Sequence, residues 1–224
     1  MCGRFVSREQ AAVEREYHVK VKNPFERVYN AAPTMALPVL RDGGEAREAL
    51  TMRWGLIPSW WSQPQPPTST INARSEEAAA KPMWRGPLRQ ARCLVPALGW
   101  YEWQVTPAGK QPHFIYPPGA PGETGLCFAG LWAARRDEAG PEQLSFAILT
   151  RAASPAVAEV HHRMPVVLAP AAFDDWLGPW TGDAAVHLAD HVAAAVGEFR
   201  HHPVSRYVNT PRNQGPACIE VVQG

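Results

Sequence analysis

The sequence has no pair of cysteines at C-x-x-C spacing; the four it contains, Cys2, Cys93, Cys127 and Cys218, lie far apart. That pattern argues against a structural zinc site and against a thioredoxin-type redox motif. No uninterrupted apolar run approaches ~20 residues, so no membrane span is expected. Residues 5–20 carry Arg8, Glu9, Glu14, Arg15 and Glu16 where a secretory signal would have its apolar core, so none is read there. A reducing, cytoplasmic compartment with free thiols is the expectation. Neither sign of charge is in excess: the net charge is +1, too little for a global basic field that draws in nucleic acid indiscriminately. Any nucleic-acid site must therefore be a local patch. Internal repeats and Gly/Ser linkers are absent as well.

What is there describes a globular protein. The 224 residues are 46% apolar and 19% charged, enough to bury a proper core. Twenty-three prolines, about twice the usual ~5%, predict ordered loops and short strands rather than long helices. Ser7 and Gln10 read as a capping box that opens a helix to about His18, with Ala12, Val13 and Tyr17 as its apolar stripe. Strands are expected over 36–41 and 46–54 around Asp42-Gly43-Gly44, then an aromatic loop ending at Trp60-Trp61, a surface loop over 62–70, and a short helix capped by Ser75 and running to about Lys81. Residues 93–103 read as a strand with a bulge or edge at Pro96. Further strands fall at 113–117, at 126–135 and 144–151 around the turn 137–141, and at 166–169. Short helices fall at 154–160, 170–177 and 183–196, and 203–222 reads as strand-like pieces. One α+β domain over 1–224, with a mostly antiparallel, barrel-like β-sheet and short peripheral helices, fits best.

Four polar residues sit in otherwise apolar or turn-like contexts: Cys2, Asn72, Glu102 and His161. Removal of Met1 would leave Cys2 with a free amine and a thiol, which ordinarily titrate near ~7.7–8.0 and ~8.5. A 1,2-aminothiol traps aldehydes, the amine as an imine and the thiolate by closing a five-membered thiazolidine. It can equally act as an N-terminal nucleophile, or be no more than a small residue opening a strand. Glu102 lies among Trp100, Tyr101 and Trp103: desolvated, it is a proton donor or acceptor near neutrality; pointed outward on a strand, it is simply solvated. One of His161 and His162 suits acid–base work, the other exposure. His187 and His191 lack a third ligand and read as a surface helix face rather than a metal site. Arg4, Arg53, Arg74 and Arg163, with Arg206 or Arg212, are candidates to line a phosphate-binding groove. Trp54, Trp60 and Trp61 offer faces for unpaired bases, at ~1–3 kcal/mol per stacked base, although most of the nine tryptophans belong in a core.

Seven blocks occur in one order: Met1-Cys2-Gly3-Arg4, Tyr29-Asn30-Ala31-Ala32-Pro33, Arg53-Trp54-Gly55-Leu56-Ile57-Pro58, Asn72-Ala73-Arg74, Gly99-Trp100-Tyr101-Glu102-Trp103, Ala129-Gly130-Leu131-Trp132 and His161-x-Arg163-Met164-Pro165. Each alone is weak, but the ordered set, running nearly end to end, resembles the SRAP (SOS-response-associated peptidase) family. The resemblance implies a protein that binds single-stranded DNA as a monomer and shields abasic sites in the DNA damage response, without cofactor or metal. Carried over by motif, Cys2 is the covalent residue, forming a thiazolidine with the ring-opened sugar; Asn72 positions it; Glu102 and His161 handle protons. Arg4, Arg74 and Arg163, with Trp60 or Trp61, hold phosphates and bases. The family's His-x-Arg-x-Pro spacing selects His161 over His162. The uncharged segment 62–70 brings no phosphate contact. The same imine permits strand cleavage by β-elimination. Two other readings stay open: a cysteine peptidase using Cys2 as N-terminal nucleophile, and a noncovalent reader of single-stranded or modified DNA.

Overall fold

Five strands close on themselves to make the frame of the molecule. The structure, a computed structural model, describes residues 2–63, 66, 69–136 and 140–222. Met1, much of the loop expected over 62–70 and the centre of the turn expected over 137–141 lie outside the described residues. The first half of the chain contributes β1 (Phe5–Ser7), α1 (Gln10–Tyr17), β2 (Lys20–Val21), β3 (Ala36–Asp42), β4 (Arg47–Trp54), β5 (Asn72–Arg74), α2 (Ser75–Ala78) and α3 (Pro82–Gln90). The second contributes β6 (Arg92–Thr106), β7 (Gly109–Tyr116), β8 (Leu126–Arg135), β9 (Gln143–Ala152), α4 (Pro155–Ala158), β10 (Arg163–Pro165), β11 (Val167–Leu168), α5 (Phe173–Leu177), α6 (Ala184–Ala193) and β12 (Arg200–Pro203). The hydrogen-bonded circuit runs β8–β9–β4–β3–β6 and back to β8. Every step is antiparallel except β4 to β9, which is parallel. The α+β class and the barrel-like sheet are as expected.

Alternation along the strands builds two cores. Leu37, Val39, Leu50, Met52, Val95, Ala97, Phe128, Phe146 and Ile148 face into the barrel. Their neighbours Leu40, Ala49, Leu94, Ala129, Leu131, Ala147 and Leu149 face outward and are covered by residues of the helices, among them Leu88, Phe173, Trp176 and Leu188. Cys2 and Phe5 belong to the inner core, so the start of the chain plugs one end of the barrel. Phe5 sets its ring edge-on to Trp54 at 5.0 Å and to Phe128 at 5.7 Å. Truncating it removes the plug that positions Cys2, so Phe5→Ala is expected to cost about 3–5 kcal/mol in denaturant unfolding.

β6 serves two sheets. Its first half pairs with β8, and its second half leaves the barrel to pair with β7, which carries β12 on its far side. β1 lies against β6 at the changeover, where the register skips Leu98. Gly99 is needed there because a Cβ would meet the Ile115 carbonyl at 2.4 Å and the Phe114 ring at 2.5 Å. Pro96 falls between Leu94, which pairs with β3, and Ala97, which pairs with β1. Its carbonyl receives the Arg8 amide, so its missing N–H also points to that gap between partners and leaves no ladder bond unmade.

Several local expectations are corrected. Ser7 is no helix cap: it ends β1, and its Oγ accepts from the Val28 amide at 2.8 Å. Helix α1 starts at Gln10 with Glu9 before it and no side-chain cap, while the Gln10 side chain accepts from the Phe25 amide. Ser75 is the first helical residue rather than the cap, and the helix stops at Ala78. α3 follows with Pro82 in its first turn; Gly86 and Pro87 hid it in the sequence. The end of the chain is mostly 3-10 turns, at Arg206–Asn209 and Pro216–Cys218, and the strand expected there starts at Arg200. His191 is buried, not on a surface face. Its ring packs on Trp176 and Trp180, and its Nε2 lies 3.2 Å from Asp175. Trp54 is fully buried in the inner core, so it offers no face to a base.

Candidate active site

Three chain segments meet where the amino-terminal plug enters the barrel. Cys2 is fully buried in the chain that carries Met1. Burial pushes its thiol well above the ordinary value, and the nearby Glu102 charge adds to the effect. Asn72 opens β5, which is held parallel to β9 by the pairing of Asn72 with Ile148. Its amide nitrogen donates to the Cys2 carbonyl at 2.8 Å, fixing the main chain of the residue expected to react. Its Oδ1 is buried and, among the described residues, has no hydrogen-bond partner. An orphaned acceptor of this kind is costly unless a donor arrives.

Glu102 follows the crossover of β6, and alternation puts it on the same face as the core residue Trp100. It is 3% exposed, so the solvated alternative does not hold. Burial pushes its carboxyl up to about 7, the range useful for both giving and taking a proton. His161 follows α4, whose start at Pro155 after Ser154 is as expected. Its Nδ1 lies 3.8 Å from the Glu102 carboxylate. The same nitrogen lies within hydrogen-bond distance of both the amide and the carbonyl of Arg163, at 3.0 and 3.1 Å, so the Arg163 backbone holds the ring in place. Burial lowers its pKa, so the ring is neutral at physiological pH. His162 stacks on it at 4.4 Å and is exposed. The structure thus brings Cys2, Asn72, Glu102 and His161 together.

The basic and aromatic candidates are less uniform. Trp60 is 60% exposed and stands edge-on to Trp61. Arg74 is exposed and, among the described residues, its side chain has a long contact to Glu77 at 3.8 Å. Arg163, on β10, is engaged by the Glu76 carboxylate at 2.6 and 2.9 Å and by the Thr150 carbonyl at 2.8 Å. A phosphate would have to replace Glu76 there. Arg4 is committed inward, donating to Asn30 Oδ1 and the Val208 carbonyl, each at 2.9 Å, and to the Asn209 carbonyl at 3.2 Å. Arg53 donates to the Gly55 carbonyl at 2.7 Å. Arg206 and Arg212 are exposed.

Asn30 is the supporting residue that the sequence reading passed over. It is fully buried, and its amide nitrogen reaches the carbonyls of Val208 and Thr210 at 3.0 Å and of Asn213 at 3.1 Å. With Arg4 it ties the end of the chain to the residue two places after Cys2. Its signal in the sequence was its place in the block Tyr29-Asn30-Ala31-Ala32-Pro33.

Residues 1–211 match the family model described as SOS response associated peptidase (SRAP). The chain is 32% identical to Abasic site processing protein YedK of Escherichia coli over 99% of its own length and 100% of that protein. It is 34% identical to Abasic site processing protein HMCES of Gallus gallus over 87% of its length, spanning 66% of that longer protein. A solved protein structure from Bacteroides thetaiotaomicron superposes with a TM-score of 0.83 at 22% identity, covering 99% of this chain and 100% of that one, a likeness of fold. By its sequence from the first residue nearly to the last, the chain belongs to the SOS response associated peptidase family.

Proposed function

We propose that this protein processes abasic sites by binding single-stranded DNA and joining the ring-opened sugar covalently to Cys2 once Met1 has been removed. The observation that carries the reading is the convergence of Asn72, Glu102 and His161 on Cys2 at the end of the barrel. The names of the relatives in Escherichia coli and Gallus gallus support the substrate.

The chemistry follows from these groups. In the tautomer that carries its proton on Nε2, His161 gives that proton to the ring oxygen as the abasic sugar opens to its aldehyde. The amine of Cys2 attacks the aldehyde carbon and passes one proton to the former carbonyl oxygen; protonated Glu102 then gives its proton to that departing hydroxyl, so that water leaves and a protonated imine, still carrying one N–H, forms. The thiol then adds to the protonated imine carbon: the S–H proton passes to ionised Glu102, the C–S bond forms, and the C=N π pair returns to nitrogen, which completes the thiazolidine and leaves Glu102 protonated again. Asn72 Oδ1 accepts from the amine and holds its lone pair toward the carbon. Trp60 and Arg74 hold the flanking bases and phosphates. A single-stranded substrate has no duplex stacking to lose when the sugar enters the site. No helix among the described residues is long and apolar enough to cross a membrane.

Intact-mass spectrometry tests the proposal. The purified protein is expected to lack Met1. Mixed with abasic single-stranded DNA, it is expected to give a denaturation-resistant species whose mass is that of protein plus strand less one water. Retention of Met1, or binding to abasic DNA with no mass change, would overturn the covalent reading and leave a noncovalent reader. Turnover of peptides that depends on Cys2 would point to the peptidase instead.

A further inference from the structure

We infer that Glu76 is a built-in stand-in for a DNA phosphate: it occupies the Arg163 guanidinium in the free protein and is displaced when a strand binds, so that the site answers to a chain of phosphates and not to a single anion. The inference rests on the single-stranded DNA binding proposed above.

A count of donors shows why the two anions exclude each other. A guanidinium has five N–H bonds. Arg163 Nη1 gives one of its two to Glu76 Oε1 at 2.6 Å. Nη2 gives one to Glu76 Oε2 at 2.9 Å and the other to Thr150, whose carbonyl lies at 2.8 Å and whose hydroxyl lies at 3.3 Å. Nε is buried. One N–H of Nη1 is left for any other anion. A phosphate gains the two-pronged contact that arginine offers only by taking the place of both Glu76 oxygens.

The partners differ in how firmly they are held. The Arg163 side chain is 12% exposed and rests on Thr150, which is fully buried in β9, while the Glu76 side chain is 53% exposed on the short helix α2. Displacement therefore sends the carboxylate into water and leaves the arginine where it is. The hydrogen bond from Arg163 holds the Glu76 carboxyl below its ordinary pKa, so near neutral pH the competitor is always charged.

The register places this pair beside the reacting residues. Asn72 and Arg74 on β5 stand opposite Ile148 and Thr150 of β9, and Arg163 on β10 stands opposite Ala152. Alternate residues of β9 share one face, so Arg74 and Arg163 flank Thr150 on the face that carries Asn72. Of the two arginines, Arg74 is the open one, since Glu77, 3.8 Å from it, is taken up by Lys81 at 2.5 Å. A strand bound at Arg74 presents its next phosphates to Arg163 at high effective concentration and can expel Glu76. A free phosphate has no such tether.

The test is a double-mutant cycle read as affinity for an intact single strand, with crosslinking to the abasic strand measured in parallel. Glu76→Gln keeps the size of the side chain and removes its charge. It is expected to tighten binding of the intact strand by about fivefold, and most of that gain is expected to vanish in an Arg163→Gln background. Inorganic phosphate, compared with chloride at equal ionic strength, is expected to compete with the strand at lower concentration on Glu76→Gln than on the native chain. Native or weaker affinity in Glu76→Gln would overturn the inference and make Glu76 a positioning partner that DNA leaves in place. A gain of equal size in the Arg163→Gln background would overturn it as well, by showing a diffuse charge effect, and so would phosphate competing no better on the variant. If Arg163→Gln fails to fold, the phosphate competition decides alone. Should the native chain bind intact strands and form no adduct, the covalent reading falls while the affinities still decide on Glu76. Should the native chain react and the cycle show no coupling, the inference about Glu76 falls by itself. If the native chain and Glu76→Gln both fail to bind single strands, the two readings fall together.

Discussion

Cys2→Ala is expected to give a folded protein that forms no lasting adduct with abasic DNA, whereas reduction with borohydride still traps one. The two halves of that result separate the two functional groups of the residue. Alanine is small enough to keep removal of Met1, so the variant retains the free amine and, with Asn72, Glu102 and His161 untouched, can still condense with the aldehyde. It cannot close the ring. An imine hydrolyses back to its components unless it is reduced, while the thiazolidine survives denaturation because reopening it requires the nitrogen lone pair to expel the sulfur, a step that needs a proton donor at the thiolate and loses Glu102 when the protein unfolds. Loss of the sulfur from a core position costs about 1 kcal/mol, too little to unfold the domain, so an empty lane on a denaturing gel would report chemistry. Crosslinking by Cys2→Ala at the native level, without reductant, would remove Cys2 from the mechanism.

How much of this was readable from the sequence depends on the length scale of the interaction. The hairpin of β3 and β4 was legible because its signal is local: Asp42 side chain to Gly44 amide, 2.8 Å, in a turn that needs glycine at φ +92°. The barrel was legible only as a tendency, since its closure depends on the parallel pairing of Arg53 and Trp54 with Ser145 and Phe146, residues with no local mark of their partnership. α3 was hidden by Gly86 and Pro87, which local propensity reads as breakers and which packing of Trp84 and Leu88 overrides. The orientation of Glu102 was undecidable because tryptophan or tyrosine flanks it on either face of the strand. Arg4 shows the limit most plainly. Beside the proposed nucleophile it reads as a phosphate contact, yet it donates to the Val208 carbonyl 204 residues away. The pairing of Arg163 with Glu76, 87 residues away, likewise leaves no trace in spacing.

Glu102→Gln is expected to slow crosslinking by about 10²–10⁴-fold while making the protein more stable above neutral pH. The kinetic loss follows from its two proton transfers: glutamine is nearly isosteric and can still hydrogen-bond, but it neither gives a proton to the departing hydroxyl nor takes one from the thiol. The stability gain follows from burial. The native carboxyl is pushed up from 4.5 to about 7, so between those values the folded protein holds a proton that the unfolded chain has released. Stability then falls as pH rises through that window. Below it both states are protonated and the native chain and Glu102→Gln should unfold alike. Above it the native protein carries a buried charge, a penalty on the order of 1–3 kcal/mol, that the variant lacks. Denaturant unfolding at both ends of the window checks the sign, and single-turnover crosslinking checks the rate. A variant that loses activity and stability together at alkaline pH would mean that Glu102 holds the fold as an ion-paired carboxylate. One that gains stability while losing activity would identify a group kept in an unfavourable place because the reaction needs its proton there.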